Sequence, residues 1–530
     1  MDSQIELARP EPSGKVRGAA RAWRDFSGVS IHPLVRNIGL TGLTSVLTSI
    51  AALIAISLIG RIMGPGLLGE YLLVRRMASW LQAVVVLPSG IALPRYVAAS
   101  AGQPASTRQA YFVGAAVTAC GLALLLTLIL VVWRSSISRV IFGRAELAPL
   151  ALPLGLLLVG LGAQGAVFGF YQGILSMGRA CGVQFLTLAL FPLLAIAVFC
   201  REHSIPLIIQ ATGLSMIVCA VFFSMSILHG ANLAEVGLRA FRRVSELLSF
   251  GLSRTWGDFG LQALLSLPAV IAAHYLPMKS VSFLLLGGSF LALVAAATLP
   301  LGIILLSQVT RSLAQQRTAQ IASQLGHFVD ALMESSVFIS IQVAVFAGAI
   351  LRIWVGPDFE AATRIVQLLI LAVPFYFVYG GLRSVIDAAA IKAHNTRNIL
   401  ISLAAFFASV TFVRLSLSRG FLLEGLAVSV VAAMAVLSWL TLRTMQELFQ
   451  LRVGWGRLLP GIGLAALLGA CSFVLQCVFH FQPNAGELLL YEVAASGVYF
   501  MVLWMFNSPW LHFLIRTMFL FHSSHLQSSE

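Results

Sequence analysis

Residues 110–133 read AYFVGAAVTACGLALLLTLILVVW, twenty-four in a row without a charge. As a helix rising about 1.5 Å per residue this stretch spans roughly 36 Å, enough to cross the hydrocarbon layer of a bilayer. Blocks of the same kind recur along the chain, near residues 37–62, 71–93, 150–175, 181–200 and 205–228, then 255–273, 281–306, 328–353, 362–386, 399–417, 421–442, 458–481 and 488–506. With the first block they make about fourteen expected spans, separated by short connectors that carry most of the arginines. Of the 530 residues 59% are hydrophobic and 10% charged, against about a quarter charged in a soluble domain. The composition therefore predicts an all-α, polytopic helix bundle in a membrane. Lipid cannot satisfy the edges of an open sheet, and the blocks lack the alternating polar residues of a membrane barrel.

The formal charge of +14 is spread over the connectors, so it reads as a topology signal and not as a nucleic-acid surface. With the N-terminus inside, Lys and Arg fall on the inner loops roughly 21 to 12, leaving Arg383 within a span. An even number of spans then puts both termini in the cytoplasm. The six cysteines lie in or at the ends of apolar blocks without metal-ligand spacing and read as small hydrophobes. No phosphate-binding loop, HExxH pattern or large extramembrane loop is present, which argues against an enzyme and against a metal or organic cofactor.

An internal repeat organises the blocks. Leu87-Pro-Ser-Gly-Ile-Ala-Leu93 matches Leu299-Pro-Leu-Gly-Ile-Ile-Leu305 at an offset of about 212, which also pairs Gly39-Leu40 with Gly251-Leu252 and Tyr71 with Phe283. At about 213, Ile137–Glu146 falls on Ile350–Phe359, aligning Gly143 with Gly356. The expected organisation is a basic tail (1–36), a lobe of six spans (37–235), a second lobe of six (236–450) and two further spans with a short tail (451–530). Six spans per lobe make the repeat parallel, with a pseudo-two-fold axis along the membrane normal and a cleft between the lobes.

Charges within spans cost about 2.5–3.5 kcal/mol each at a helix centre, so they are the candidate site residues. Arg75 and Arg76 open the second span, Arg254 with Asp258 the seventh, and Arg383 with Asp387 closes the tenth. The last two pairs, spaced i,i+4, can neutralise themselves. A planar guanidinium binds phosphate oxygens in pairs, so Arg75, Arg76, Arg254 and Arg383 are candidates for an anionic headgroup. Asp330 and Glu334, one turn apart, join Asp258 and Asp387 as candidates for a coupling proton or cation. The basic N-terminal tail, with Lys15, Arg17, Arg21, Arg24 and Arg36, reads as a solvated cytoplasmic segment beside lipid headgroups.

Three connectors carry a family likeness. Arg61-Ile-Met-Gly-Pro-Gly-Leu-Leu-Gly-Glu-Tyr71 resembles the R-x-LGPxxxGxY turn of polysaccharide (O-antigen type) flippases, Gly90-Ile-Ala-Leu-Pro-Arg-Tyr-Val-Ala98 their GLxxAxxRYVAE segment, and Trp354-Val-Gly-Pro-Asp-Phe-Glu-Ala-Ala362 their fGpeFeaA turn. That family shares a superfamily with multidrug and toxic compound extrusion antiporters and the lipid II flippase. The resemblance implies alternating access and a lipid-linked oligosaccharide, typically on undecaprenyl pyrophosphate, moved across a bacterial plasma membrane. It also implies a monomer in membrane lipid, serving surface polysaccharide synthesis beside a polysaccharide polymerase and glycosyltransferases. The four arginines fit the family's cationic cavity by charge and depth, with no motif matching them one by one. A drug or cation antiporter of the same superfamily is the alternative, although such antiporters carry an acid deep in the first span and residues 37–62 have none. A glycan polymerase or ligase would need a catalytic outer loop, and the outer connectors are short.

Overall fold

The computed structural model describes residues 31–314, 318–390, 393–416, 419–450, 454–478 and 483–506. The N-terminal basic tail up to residue 30 and the final apolar stretch 510–522 lie outside the described residues, and so does the side chain of Arg36. In chain order the helices are α1 (Ile31–Val85), α2 (Ala92–Ala99), α3 (Ala105–Val132), α4 (Arg134–Ile141), α5 (Ala151–Gly173), α6 (Met177–Phe185), α7 (Phe191–Phe199), α8 (Ile205–Leu228) and α9 (Leu233–Tyr275). They continue with α10 (Met278–Ala314), α11 (Thr318–Val345), α12 (Ala347–Trp354), α13 (Thr363–Ile370), α14 (Val373–Ala389), α15 (His394–Ser416), α16 (Leu422–Phe449), α17 (Trp455–Val478) and α18 (Ala485–Met505).

Twelve of the described helical stretches are long and apolar enough to cross a membrane, or thirteen when the α13–α14 pair, bent by 48°, counts as one span. Each of the fourteen expected spans overlaps one of them. The first two share the single stretch Gly39–Val85, which is broken at Gly64, where φ is +78°. Pro65 follows, has no N–H to donate, and starts the next helical run. The protein is thus a multi-pass membrane protein with an all-helical polytopic fold.

Two details depart from the expected boundaries. The second span ends at Val85 instead of Leu93, because residues 86–91 unwind into successive turns around Pro88 before α2 begins. Its repeat partner near Pro300 stays inside the continuous helix α10. The other repeat match holds in detail. Helix α4 stops, Gly143 takes φ +71°, and a 3-10 turn Ala145–Leu150 leads into α5; α12 stops, Gly356 takes φ +111°, and a 3-10 turn Pro357–Ala362 leads into α13. Only a residue without Cβ adopts these angles cheaply, which is why glycine stands at both positions.

The chain divides into two compact units, Met1–Lys279 with Ala390–Thr396, and Ser280–Ala389 with Arg397–Glu530. Helix α9 belongs to the first. At the centre of the first unit lies α5, whose most apolar window is 78% buried. Lipid supplies no hydrophobic drive between helices, so close backbone approach and dispersion must hold them. Glycines permit that approach: a Cβ on Gly213 of α8 would sit 2.8 Å from the Leu156 carbonyl carbon and the Leu157 nitrogen, and one on Gly160 would sit 2.9 Å from the Gly213 oxygen. Gly213→Ala should therefore force α5 and α8 apart and cost about 1–3 kcal/mol. A fall in the thermal midpoint of the detergent-solubilised protein checks it, and an unchanged midpoint would refute this packing.

In the second unit α11 holds the last two spans. Tyr499 of α18 stacks on Phe338 with ring centroids 4.2 Å apart and donates its hydroxyl to the Glu334 carbonyl at 3.1 Å. Ser472 of α17 donates to Gln342 Oε1 at 3.0 Å and lies 2.7 Å from the Tyr491 hydroxyl. Of the cysteines, Cys181, Cys200 and Cys219 are buried, whereas Cys471 and Cys477 on α17 are exposed on its outer side.

Candidate functional site

The second half of α1 carries Tyr71, Arg75, Ala78, Ser79 and Gln82 at spacings of three and four, which places them on one helix face. That face looks into a cavity of about 300 Å³ inside the first unit. Thr48, Ser49 and Ala52 of α1's first half close it on one side, Leu157 and Leu161 of α5 on another, and Thr187, Ile209, Thr212 and Met216 complete the wall. Thr187 sits in a π-helical segment, Leu186–Leu190, between α6 and α7. The wider turn of a π segment displaces a side chain from the regular helical stripe, and such bulges gather at functional sites.

Arg75 is half-buried. Its Nη1 donates to the Tyr71 hydroxyl at 3.3 Å, and its guanidinium carbon lies 5.6 Å from the centre of that ring. No carboxylate among the described residues pairs with it, and no acidic side chain lines the cavity. A guanidinium has five N–H donors, so most of its capacity faces the open space. The hydroxyls behave differently. Ser49 donates to the Ser45 carbonyl at 2.8 Å, Ser79 to that of Arg75 at 3.0 Å, Thr187 to that of Val183 at 2.7 Å and Thr212 to that of Ile208 at 2.8 Å. Each proton is used within its own helix, which leaves oxygen lone pairs for the cavity. The result is one strong cationic donor among several neutral acceptors.

The remaining candidates are placed as follows. Arg76 is half-buried on the neighbouring face of α1 and does not line this cavity. Arg254 lies in α9, its side chain outside the described residues. Asp258, on the same helix, lines a separate space of about 130 Å³ with Leu87, Gly90, Phe250 and Thr255. In the second unit Arg383 is half-buried on α14 and Asp387 exposed one turn later. Asp330 and Glu334 are buried on α11, and Asp330 Oδ2 lies 3.6 Å from Arg457 Nη2 of α17. Among the described residues no cluster of three His, Cys, Asp or Glu could hold a metal. The sequence reading missed Thr48, Ser49, Gln82, Thr187 and Thr212; the i,i+4 and i,i+3 spacing of Arg75, Ser79 and Gln82 was the available signal.

No family model and no curated protein matches the chain. Solved structures do. The chain is similar over 90% of its length to the lipid II flippase MurJ in an inward closed conformation, covering 99% of that chain with a TM-score of 0.64 at 12% identity. It is similar over 77% of its length to a multidrug resistance MATE family transporter of the MOP superfamily in an inward-facing conformation, covering 95% of it with a TM-score of 0.61 at 14% identity. A eukaryotic MATE transporter is covered to 98% by 82% of this chain, with a TM-score of 0.54 and 14% identity. The fold is therefore that of the MurJ and MATE structures.

Proposed function

We propose that this protein is a flippase that moves a lipid-linked oligosaccharide, of the undecaprenyl-pyrophosphate type, across a bacterial plasma membrane by alternating access. The observation that carries the reading is Arg75, a cation with no carboxylate partner among the described residues, facing a cavity inside a membrane-spanning lobe. A charge in that position is retained against its desolvation cost when the cargo brings the opposite charge. A diphosphate does, and a guanidinium can hold two of its oxygens at once. Sugar hydroxyls are donors, and Ser49, Ser79, Thr187 and Thr212 offer them acceptors. At about 300 Å³ the cavity is at the small end of ligand sites, suited to a headgroup portion with the glycan extending beyond it.

The fold shared with the lipid II flippase MurJ and with MATE transporters supports transport as the activity. A cation antiporter of that fold is the second reading, and the lack of an acid among the described lining residues weighs against it. Asp258, Asp330, Glu334 and Asp387 stand as candidates for the coupling ion, with Arg76, Arg254 and Arg383 as further cationic contacts. The protein would act as a monomer with both termini cytoplasmic, beside glycosyltransferases and a polysaccharide polymerase.

Reconstitution into vesicles loaded with a lipid-linked oligosaccharide tests the proposal. The glycan should become accessible to an external glycosidase, and collapsing the proton and sodium gradients separately should identify the coupling ion. Extrusion of a cationic dye without any exposure of glycan would overturn the flippase reading in favour of the antiporter.

A further inference from the structure

Helix α9 begins five residues after α8 ends, and its first twenty-two residues precede the span Thr255–Tyr275 that the same helix becomes. This front segment is bolted to the membrane end of the first unit. Ala240 lies against Gly114 of α3, where an added Cβ would meet the Ala240 carbonyl at 3.2 Å. The Tyr111 hydroxyl donates to Glu246 at 2.9 Å, and Arg239 donates to Ser106 at 3.1 Å. Leu233 borders an apolar groove of about 440 Å³ that residues of α3, α5 and α8 also line. Its partners on α3 run from Ser106 to Gly114, the first turns of that helix, so the segment crosses the end of α3 and does not project away from it.

A helix advances about 100° per residue. Val236, Ala240 and Leu247, all buried, define the face on the protein. On the opposite side stand Leu238, Phe241 and Leu252, exposed by 77%, 84% and 52%. Between the two faces, along one edge, run Glu235, Arg239 and Arg242. Arg239 pairs with Glu235, and Arg243 with Glu246 at 2.7 Å, a hydrogen bond that pushes the Arg243 guanidinium above its ordinary pKa. Arg242 has no side-chain partner among the described residues. A large apolar side chain exposed to this degree beside a basic edge is the pattern of a helix lying in a membrane interface, and the spans at both ends of the segment hold it at that depth.

We propose that residues 233–252 form an interfacial foot that inserts Leu238 and Phe241 into the bilayer and binds anionic lipid headgroups along the Arg239 and Arg242 edge. This function is separate from cargo binding and does not depend on what the protein transports.

An environment-sensitive fluorescent amino acid at position 241 of the full chain tests this in vesicles of phosphatidylcholine alone and of phosphatidylcholine with phosphatidylglycerol. The expected result in the mixture is a blue-shifted probe, quenched by lipids spin-labelled near the headgroup and shielded from aqueous iodide. Arg239→Gln with Arg242→Gln removes the basic groups of this edge and should lower the inserted population roughly tenfold. Iodide access to the probe in the mixed vesicles would overturn the proposal. So would equal insertion with and without the anionic lipid, or no effect of the paired arginine substitutions.

Discussion

Arg75→Ala lowers glycan exposure in the vesicle assay by about ten- to a hundredfold while the protein remains folded in the membrane. The magnitude follows from the bonds lost, since a hydrogen bond to a charged group contributes about 1.5–3 kcal/mol and a diphosphate would take at least one pair. Folding should tolerate the change, because Arg75's one side-chain hydrogen bond among the described residues is to Tyr71 and the site it leaves is an existing cavity. Arg75→Lys should recover part of the activity, having the charge without the planar fork. Tyr71→Phe should have a small effect, as it removes only the 3.3 Å bond that steadies the guanidinium. Arg76→Ala, outside the cavity lining, should lower glycan exposure less than Arg75→Ala does. Full activity of Arg75→Ala, measured at equal protein per vesicle, would remove the cavity from the mechanism.

Hydrophobic runs made the spans legible, because a bilayer imposes a length and an apolar content that no other environment demands of every helix in turn. Where one span stops was less so. The Leu87–Leu93 stretch follows its repeat partner in pattern but carries Ser89 and Ala92 where the partner has Leu301 and Ile304, and it unwinds around Pro88 while the chain at Pro300 remains helical. Gly64 and Pro65 marked a break, but the sequence does not fix how sharply the two runs diverge there. Arg75 stood out as a charge in an apolar block. Thr48, Thr187 and Thr212 did not, since hydroxyls that bond their own helix backbone are common in membrane spans and carry no sign of which cavity they line. The π segment at Thr187 has no local signature at all. Asp330 was read as open to a coupling ion because its partner Arg457 is remote in sequence, on a helix whose role the blocks alone left undefined.

That ion pair supports the second large effect, which should appear in stability. Asp330 is 4% exposed, and Arg457, at 3.6 Å, is the basic group that pairs with it from α17 beside His327 on its own helix. Removing one partner of a fully buried pair costs about 3–5 kcal/mol, since it strands an unpaired charge. The Arg457 side chain is 45% exposed, so water takes over part of its role and roughly 1–3 kcal/mol is the expected loss for Arg457→Ala. Asp330→Asn leaves Arg457 free to turn toward solvent and should cost less. The double variant Asp330→Asn with Arg457→Ala should then be more stable than Arg457→Ala alone, because the stranded carboxylate is gone. Thermal unfolding of the four proteins in detergent measures the cycle. The same variants separate two roles for Asp330. If it only holds α17 on α11, the double variant keeps its response to an imposed ion gradient; if it carries the coupling ion, the double variant folds and transports without that response. Additive losses in the cycle would show that the pair contributes nothing as a pair, and that the hold of the last two spans on α11 rests on Tyr499, Phe338 and the Gln342–Ser472–Tyr491 contacts.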